Sequence, residues 1–163
     1  MEHDGYPDDY LRGILKGVRT IAMVGASEHW NRPSSFAMKY LQDKGYRVIP
    51  VNPQAKGEDI LGEKVYPSLR DIPVKIDMVD IFRRAEAVPP IVEDAIAIGA
   101  KVVWMQLGVR HEAAAAKAEA AGLKVVMNRC PKIEWSRLHG ELAWSGVNTG
   151  IISSKRQKRV GRP

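Results

Sequence analysis

The stretch TIAMVGASEHWNRPSSFAMKYL, residues 20–41, decides the fold. Its apolar run ends at Val24, Gly25-Ala26-Ser27 follows, and Pro33-Ser34-Ser35 opens a helical pattern. This is strand, tight turn, helix. Gly25 lets the backbone turn sharply and approach a ligand closely. Proline suits the first turn of a helix, where its missing amide costs nothing. The amides near Ser27 and at Ser34-Ser35 are expected to be free donors at a positive helix end, which favours an anionic group. Gly-Ala-Ser is not the Gly-x-Gly-x-x-Gly of dinucleotide-binding turns, so a purely structural turn stays open.

Outward from this stretch, further apolar runs lie at 47–51, 77–82, 101–107 and 124–127. They are rich in Val, Ile and Met and do not alternate cleanly, as expected of strands buried on both faces of a parallel sheet. Helical patterns fill the gaps at 34–44, 89–98, 112–121 and 130–138, and another at 8–16 precedes the first strand. Three of them stop at Gly45, Gly99 and Gly122, the residue type favoured just past a helix end. The pattern predicts an α/β fold, a Rossmann-like doubly wound parallel sheet of about five strands in three layers. The expected strand order is 3-2-1-4-5, with a ligand at the switch point between strands 1 and 4. Residues 52–73 form one long irregular segment, with a small hairpin expected around Leu61-Gly62 and a turn at 68–71.

The chain of 163 residues suits one domain, placed at 1–150. Its net charge is +6, and Lys155, Arg156, Lys158, Arg159 and Arg162 in the final 151–163 supply five of those charges. That basic tail reads as a solvated terminus, although an acidic partner or nucleic acid would also be drawn to it. No helix-turn-helix pattern supports nucleic-acid binding, and no protein partner is legible. No apolar stretch approaches the length of a membrane span. The absence of an export signal and the lone Cys130 predict a cytoplasmic protein without disulfides or a multi-cysteine metal site.

The predicted strand ends carry the chemistry. A dinucleotide enzyme wants an acid after its second strand for the ribose hydroxyls. Here Asn52 and Pro53 stand there and Lys56 follows, with Arg47 just before the strand as another candidate cation. The third strand ends in Phe82-Arg83-Arg84. Two arginines grip phosphate well, and Phe82 either lies against an adenine or fills the core. Asp80, inside an apolar strand, needs a partner. Gln106 and Gly108 end the fourth strand, and Asn128, Arg129 and Cys130 end the fifth. Cys130 at a helix start predicts a lowered thiol pKa. It is either a small buried residue or a thiol that pairs with a thiol ligand. His3, His29, His111 and His139 are scattered, and no nucleophile–base pair is evident. The rim reads as a binder of a polyphosphorylated adenosine compound rather than of NAD.

The motifs VGAS, GYRVIPVNPQAKGEDILGEKVYPSLRDIP, VDIFRRAEAVP, VWMQLGVRH and NRCPKIE together resemble the small bacterial and archaeal coenzyme A-binding domain proteins. The same domain begins the ADP-forming acyl-CoA synthetases and the alpha subunit of succinyl-CoA synthetase. The resemblance covers residues 8–140 and implies a Rossmann-like domain holding coenzyme A at its strand ends. It implies phosphate at Gly25, Ala26 and Ser27, beside the helix start at Pro33 and Ser35. Arg47, Asn52, Pro53 and Lys56 would surround the adenosine phosphates. Phe82, Arg83 and Arg84 would line the adenine and ribose, Gln106 and Gly108 the pantetheine arm, and Asn128, Arg129 and Cys130 the far side. The synthetases' histidine-bearing and ATP-grasp domains have no counterpart here. The expectation is therefore a non-enzymatic module that binds CoA, an acyl-CoA or CoA disulfide. The alternatives are a nucleotide-binding subunit of a multi-chain acyl-CoA ligase and a nucleotide-responsive regulator.

Overall fold

The computed structural model describes residues 1–27, 29, 32–54 and 58–140. Lys56, the basic tail and the domain boundary at 150 lie outside them. Helix α1 (Asp8–Gly17) leads into β1 (Thr20–Val24), α2 (Pro33–Asp43) and β2 (Arg47–Val51). The two-residue strands β3 (Asp59–Ile60) and β4 (Glu63–Lys64) form the expected hairpin, with Leu61 and Gly62 at φ 49° and 82° in its turn. A 3-10 turn (Leu69–Asp71) stands at the expected 68–71 position. Then come β5 (Met78–Ile81), α3 (Val88–Ala97), β6 (Val102–Met105), α4 (Glu112–Ala120), β7 (Lys124–Val126) and α5 (Pro131–Leu138).

The five longer strands are all parallel. Helices α3 and α4 cover one face, where Val79, Ile81, Val103 and Met105 pack with Val92, Ala95, Ala115 and Ala118. Helices α1, α2 and α5 cover the other, where Ile21, Met23, Met78 and Trp104 meet Leu11, Ile14, Met38 and Leu41. The small side chains of α4 let that helix lie close to the sheet. The three-layer Rossmann-like architecture is as predicted.

The strand order is not. It runs β2-β1-β5-β6-β7, so the long strands, numbered along the chain, follow 2-1-3-4-5. The outer edge of β2 is already occupied. Tyr66 makes a parallel bridge to Val51, donating its amide to Pro50 O (3.1 Å) and accepting from the Asn52 amide (3.0 Å). A single bridged residue thus takes the place foreseen for a third full strand, and the next strand must cross to the free side of β1. The reversal falls between β1 and β5, where an α/β sheet opens its ligand crevice.

At the opposite end of the sheet, Asp77 ties three strands together. Its Oδ2 accepts the amides of Arg19 (2.9 Å) and Thr20 (3.1 Å), and the Lys101 ammonium lies 3.8 Å from Oδ1. Partial burial pushes this carboxyl up, but the two amides and the lysine outweigh it and hold it below its ordinary value. The unfolded chain then binds more protons than the folded one around the ordinary carboxylate range. Asp77 stabilises the fold above that range, and the contribution is lost as pH falls through the folded value. We expect Asp77→Ala to lower the unfolding free energy at pH 7 by ~2 kcal/mol. Urea titrations from pH 7 to pH ~3 check this. The difference between parent and variant should shrink toward the acid end.

Candidate functional site

Gly25 ends β1 at φ 88°, and its amide donates to Val51 O (2.9 Å). A β-carbon here would overlap the carbonyl oxygen of Phe82. The sequence assigns this glycine to ligand approach, whereas its tight contact is with the exit of β5. That contact closes the switch point, because Phe82 N in turn donates to Val24 O (2.8 Å).

The loop beyond Gly25 is braced from inside. Ser34 Oγ accepts the Ser27 amide (3.1 Å), and Ser35 Oγ donates to Ser27 O (2.9 Å) and His29 O (2.7 Å). The Ser27 amide is therefore not the free donor expected of it. Asn52 Nδ2 donates to Ala26 O (3.0 Å), and its Oδ1 accepts the Gln54 amide (2.9 Å). Ala26, Ser35 and Asn52 accordingly hold the loop in shape. Gly25, Ser27, Pro33 and Phe82 face outward, lining a hollow of about 340 Å³ together with His29, Arg32 and Ser34. A second hollow of about 240 Å³ adjoins it through Ser27 and His29 and runs along Asn52 toward Ile60. A third, of about 230 Å³, lies on the α3 side between Pro53, Ser68, Arg83 and Pro90.

Charge is distributed unevenly around these hollows. Arg12, Arg47, Arg70, Arg110, Arg129 and Arg137 each lie within ion-pair distance of a carboxylate. Arg32, Arg83 and Arg84 are exposed at the rim, and none of them makes an ion pair with a described residue. Arg32 is the N-cap of α2, whose first turn contains no acid. The positive end of the α2 dipole and Arg32 stand at the first hollow, and Arg83 lines the third hollow and lies against Gly25. Arg32 is an addition that the sequence reading lacks, whereas His29, one of the four histidines it weighed, lines the hollow. The signal for Arg32 is its place directly before Pro33, the start of the helix.

Arg47 does not belong to this rim. It is the first residue of β2, level with Thr20 at the amino end of the sheet, and pairs with Glu63 (3.2 Å). The predicted strand is right and its direction puts the guanidinium at the wrong end.

On the far side, Asn128 adopts φ 57°, and its Oδ1 accepts the Gly108 amide (2.8 Å), tying the β6 and β7 turns together. Trp104 Nε1 donates to Arg129 O (2.8 Å). The Arg129 guanidinium lies over Tyr6, 5.5 Å from the ring centre. Cys130 is the N-cap of α5, as predicted, but it is buried. Burial pushes its thiol up, against hydrogen bonds from Gln106 and the Ile133 and Lys132 amides, so the expected lowering is overturned. Asp80 is fully buried, and neither of its oxygens has a partner. Burial alone raises its carboxyl well above the ordinary value. The predicted partner for Asp80 is missing among the described residues, which also contain no cluster able to hold a metal ion. No helix among them is long and apolar enough to cross a membrane.

A family model described as a CoA binding domain matches residues 19–136. The chain is similar to the uncharacterized protein YneT of Bacillus subtilis, 37% identical over 123 residues, which cover 76% of this chain and 90% of that one. It is also similar to the ADP-forming acetate–CoA ligase II of Archaeoglobus fulgidus, 34% identical over 140 residues. That match takes in 84% of this chain and 19% of the ligase. A solved structure of a hypothetical protein from Pyrococcus horikoshii OT3 superposes with a TM-score of 0.80 at 46% identity, covering 86% of this chain and 100% of the other.

Two stability measurements test the site's construction. Gly25→Ala should lower the unfolding free energy by about 1–3 kcal/mol, since both the backbone conformation and the Phe82 contact oppose it. Asp80→Asn should act in the opposite direction. Asp80 holds its proton more tightly when folded, so its cost grows as pH rises from the ordinary carboxylate value toward the raised one. Urea titration at pH 7 should show the Asp80→Asn variant more stable than the parent, with the gap closing toward acid pH.

Proposed function

Since the chain belongs to the CoA-binding domain family, we propose that it binds coenzyme A, an acyl-CoA or CoA disulfide across the carboxyl ends of its strands. The observation that carries this reading is the set of exposed arginines at the carboxyl rim, Arg32 at the start of α2 and Arg83 and Arg84 after β5, which pair with no carboxylate among the described residues. Coenzyme A presents a pyrophosphate and a ribose 3′-phosphate to such a rim. Arginine forks match phosphate oxygens in geometry as well as charge. The end of β2 offers no acid to ribose hydroxyls, and the Asn52 side chain is spent on Ala26 and Gln54. That disfavours NAD. Pro53 and Arg83 share one hollow, suited to the adenosine end.

The chain is read as a binder rather than a catalyst, acting in the cytoplasm as a carrier or sensor. Three of its four histidines have structural work. His111 Nδ1 accepts the Ala114 amide and caps α4, His139 stacks on Trp135, and His3 is bonded to Glu119 and Tyr6. A second reading, a nucleotide-binding subunit of a multi-chain acyl-CoA ligase, draws on the Archaeoglobus relative. Stable co-purification with an ATP-grasp protein would favour it.

Calorimetric titration with CoA, dephospho-CoA and NAD tests the main reading. CoA should bind, dephospho-CoA more weakly, and NAD not at all. Arg83→Ala should weaken CoA about tenfold, ~1.4 kcal/mol, and dephospho-CoA less. Arg47→Ala removes an equal charge at the other end of the sheet and should leave both affinities unchanged. Equal losses from the two variants would reduce the rim to a general charge effect.

A further inference from the structure

Phosphate binding leaves one charged pair of the third hollow unused. Val51, Pro53, Pro67, Pro90 and Ile91 give that hollow apolar walls, and each proline ring fixes its own backbone torsion. The Tyr66 bridge to Val51 brings Pro67 and Ser68 to this side, and Pro90 lies in the first turn of α3. A space of about 230 Å³ between such walls suits a flat heteroaromatic ring. Asp94, on α3, is the acid among the lining residues. Arg70, in the 3-10 turn, donates from Nε to Asp94 Oδ1 (2.7 Å). Asp94 Oδ2 receives no hydrogen bond from a described residue. The pair is partly exposed, and pairs of that kind contribute little to stability. Its stronger effect is geometric, since one carboxylate oxygen is pinned and the other is left as an acceptor. Ser68, which also lines the hollow, already donates its hydroxyl to Asp71 (2.9 Å).

We propose that Asp94, positioned by Arg70, reads the exocyclic amine of the ligand's adenine, so that this hollow selects adenine nucleotides over those with a carbonyl at the same ring position. The proposal rests on the CoA reading above. Adenine carries an amino donor where hypoxanthine and guanine carry an acceptor oxygen. A carboxylate accepts from the first and repels the second. The apolar walls match the faces of a purine, and the acid matches one of its edges. Arg83 connects this base site to the phosphates. It lines the third hollow, and its Cδ lies 3.0 Å from the place of a β-carbon on Gly25, which lines the first. A nucleotide with its base beside Asp94 therefore passes its phosphates along Arg83 toward the start of α2. The neighbouring carboxylates have other partners. Glu93 pairs with Lys117 (2.7 Å), and Asp71 takes the Ser68 hydroxyl. This leaves Asp94 as the carboxylate with an oxygen to offer the base.

The test uses the full chain and calorimetric titration with CoA and two analogues. One has hypoxanthine in place of adenine, and the other lacks the ribose 2′-hydroxyl. We expect the hypoxanthine analogue to bind at least about tenfold more weakly than CoA, and the 2′-deoxy analogue to bind as CoA does. Asp94→Asn should close the gap, because an amide can turn its donor to the ring carbonyl. Arg70→Ala should narrow it while leaving the ratio of CoA to dephospho-CoA affinity unchanged, and Arg70→Lys should restore it in part. Urea titration should find all three variants folded, with midpoints close to that of the parent. Equal binding of CoA and the hypoxanthine analogue by the parent, a comparison that needs no variant, overturns the base selection and leaves the CoA reading standing. A loss with the 2′-deoxy analogue instead assigns Asp94 to the ribose and overturns it as well. So does a gap that survives in Asp94→Asn. No binding of CoA by the parent overturns both readings.

Discussion

The carbonyl of Phe82 fills the space that any side chain at position 25 would need. This constraint joins the first and third long strands at the one point where the sheet reverses direction. The Gly25 amide reaches β2 at Val51 O, and Phe82 N reaches β1 at Val24 O. Three strand ends are therefore fixed by two hydrogen bonds and one excluded β-carbon. Everything on the rim inherits its position from this knot. The hollow at the start of α2 opens at Gly25, and Arg83 follows β5 directly beside that glycine.

Around the knot, the polar residues divide into those that build the loop and those that face out. Ser34, Ser35 and Asn52 spend their hydroxyls and amide on backbone groups of residues 26–29. Each such bond adds only about 1 kcal/mol net. Their larger effect is to order the loop before a ligand arrives, which lowers the entropy lost on binding. The arginines behave differently. Six guanidiniums elsewhere on this surface lie near a carboxylate, and exposed pairs of that kind contribute little to stability. Arg32, Arg83 and Arg84 have no such partner among the described residues, which costs the fold little and leaves a positive potential at the rim.

Much of this is legible in the sequence because it is local. The alternation of apolar runs and helical patterns gives the layers. Leu61-Gly62 marks the hairpin, and glycines mark the helix ends. Arg83, Arg84 and Gly25 are found from their place after strands. What escapes is long-range. Nothing in the sequence announces that Tyr66 will bridge Val51 and displace a whole strand from the edge of β2. Arg47 is misplaced because a charge just before a parallel strand lies at the end opposite to the site. The Ser27 amide looks free because its acceptor, Ser34 Oγ, comes seven residues later. Cys130 illustrates a competition. The helix N-terminus lowers a thiol pKa, burial raises it, and sequence shows only the first.

The two faces of the sheet carry different duties. The face under α3 and α4 is a continuous apolar core, and its work is stability. The face under α1, α2 and α5 is interrupted by Asp80, Cys130, Ser136 and Glu134, all buried. Glu134 is paired with Arg137, and Ser136 is bonded to Tyr40. Asp80 alone among these four has no polar partner, although an apolar residue of similar size would fill its place at lower cost. It lies on the side of the sheet that carries the serine-braced loop, and just beneath the rim. A polar group kept there against stability sets this layer apart from the apolar face under α3 and α4.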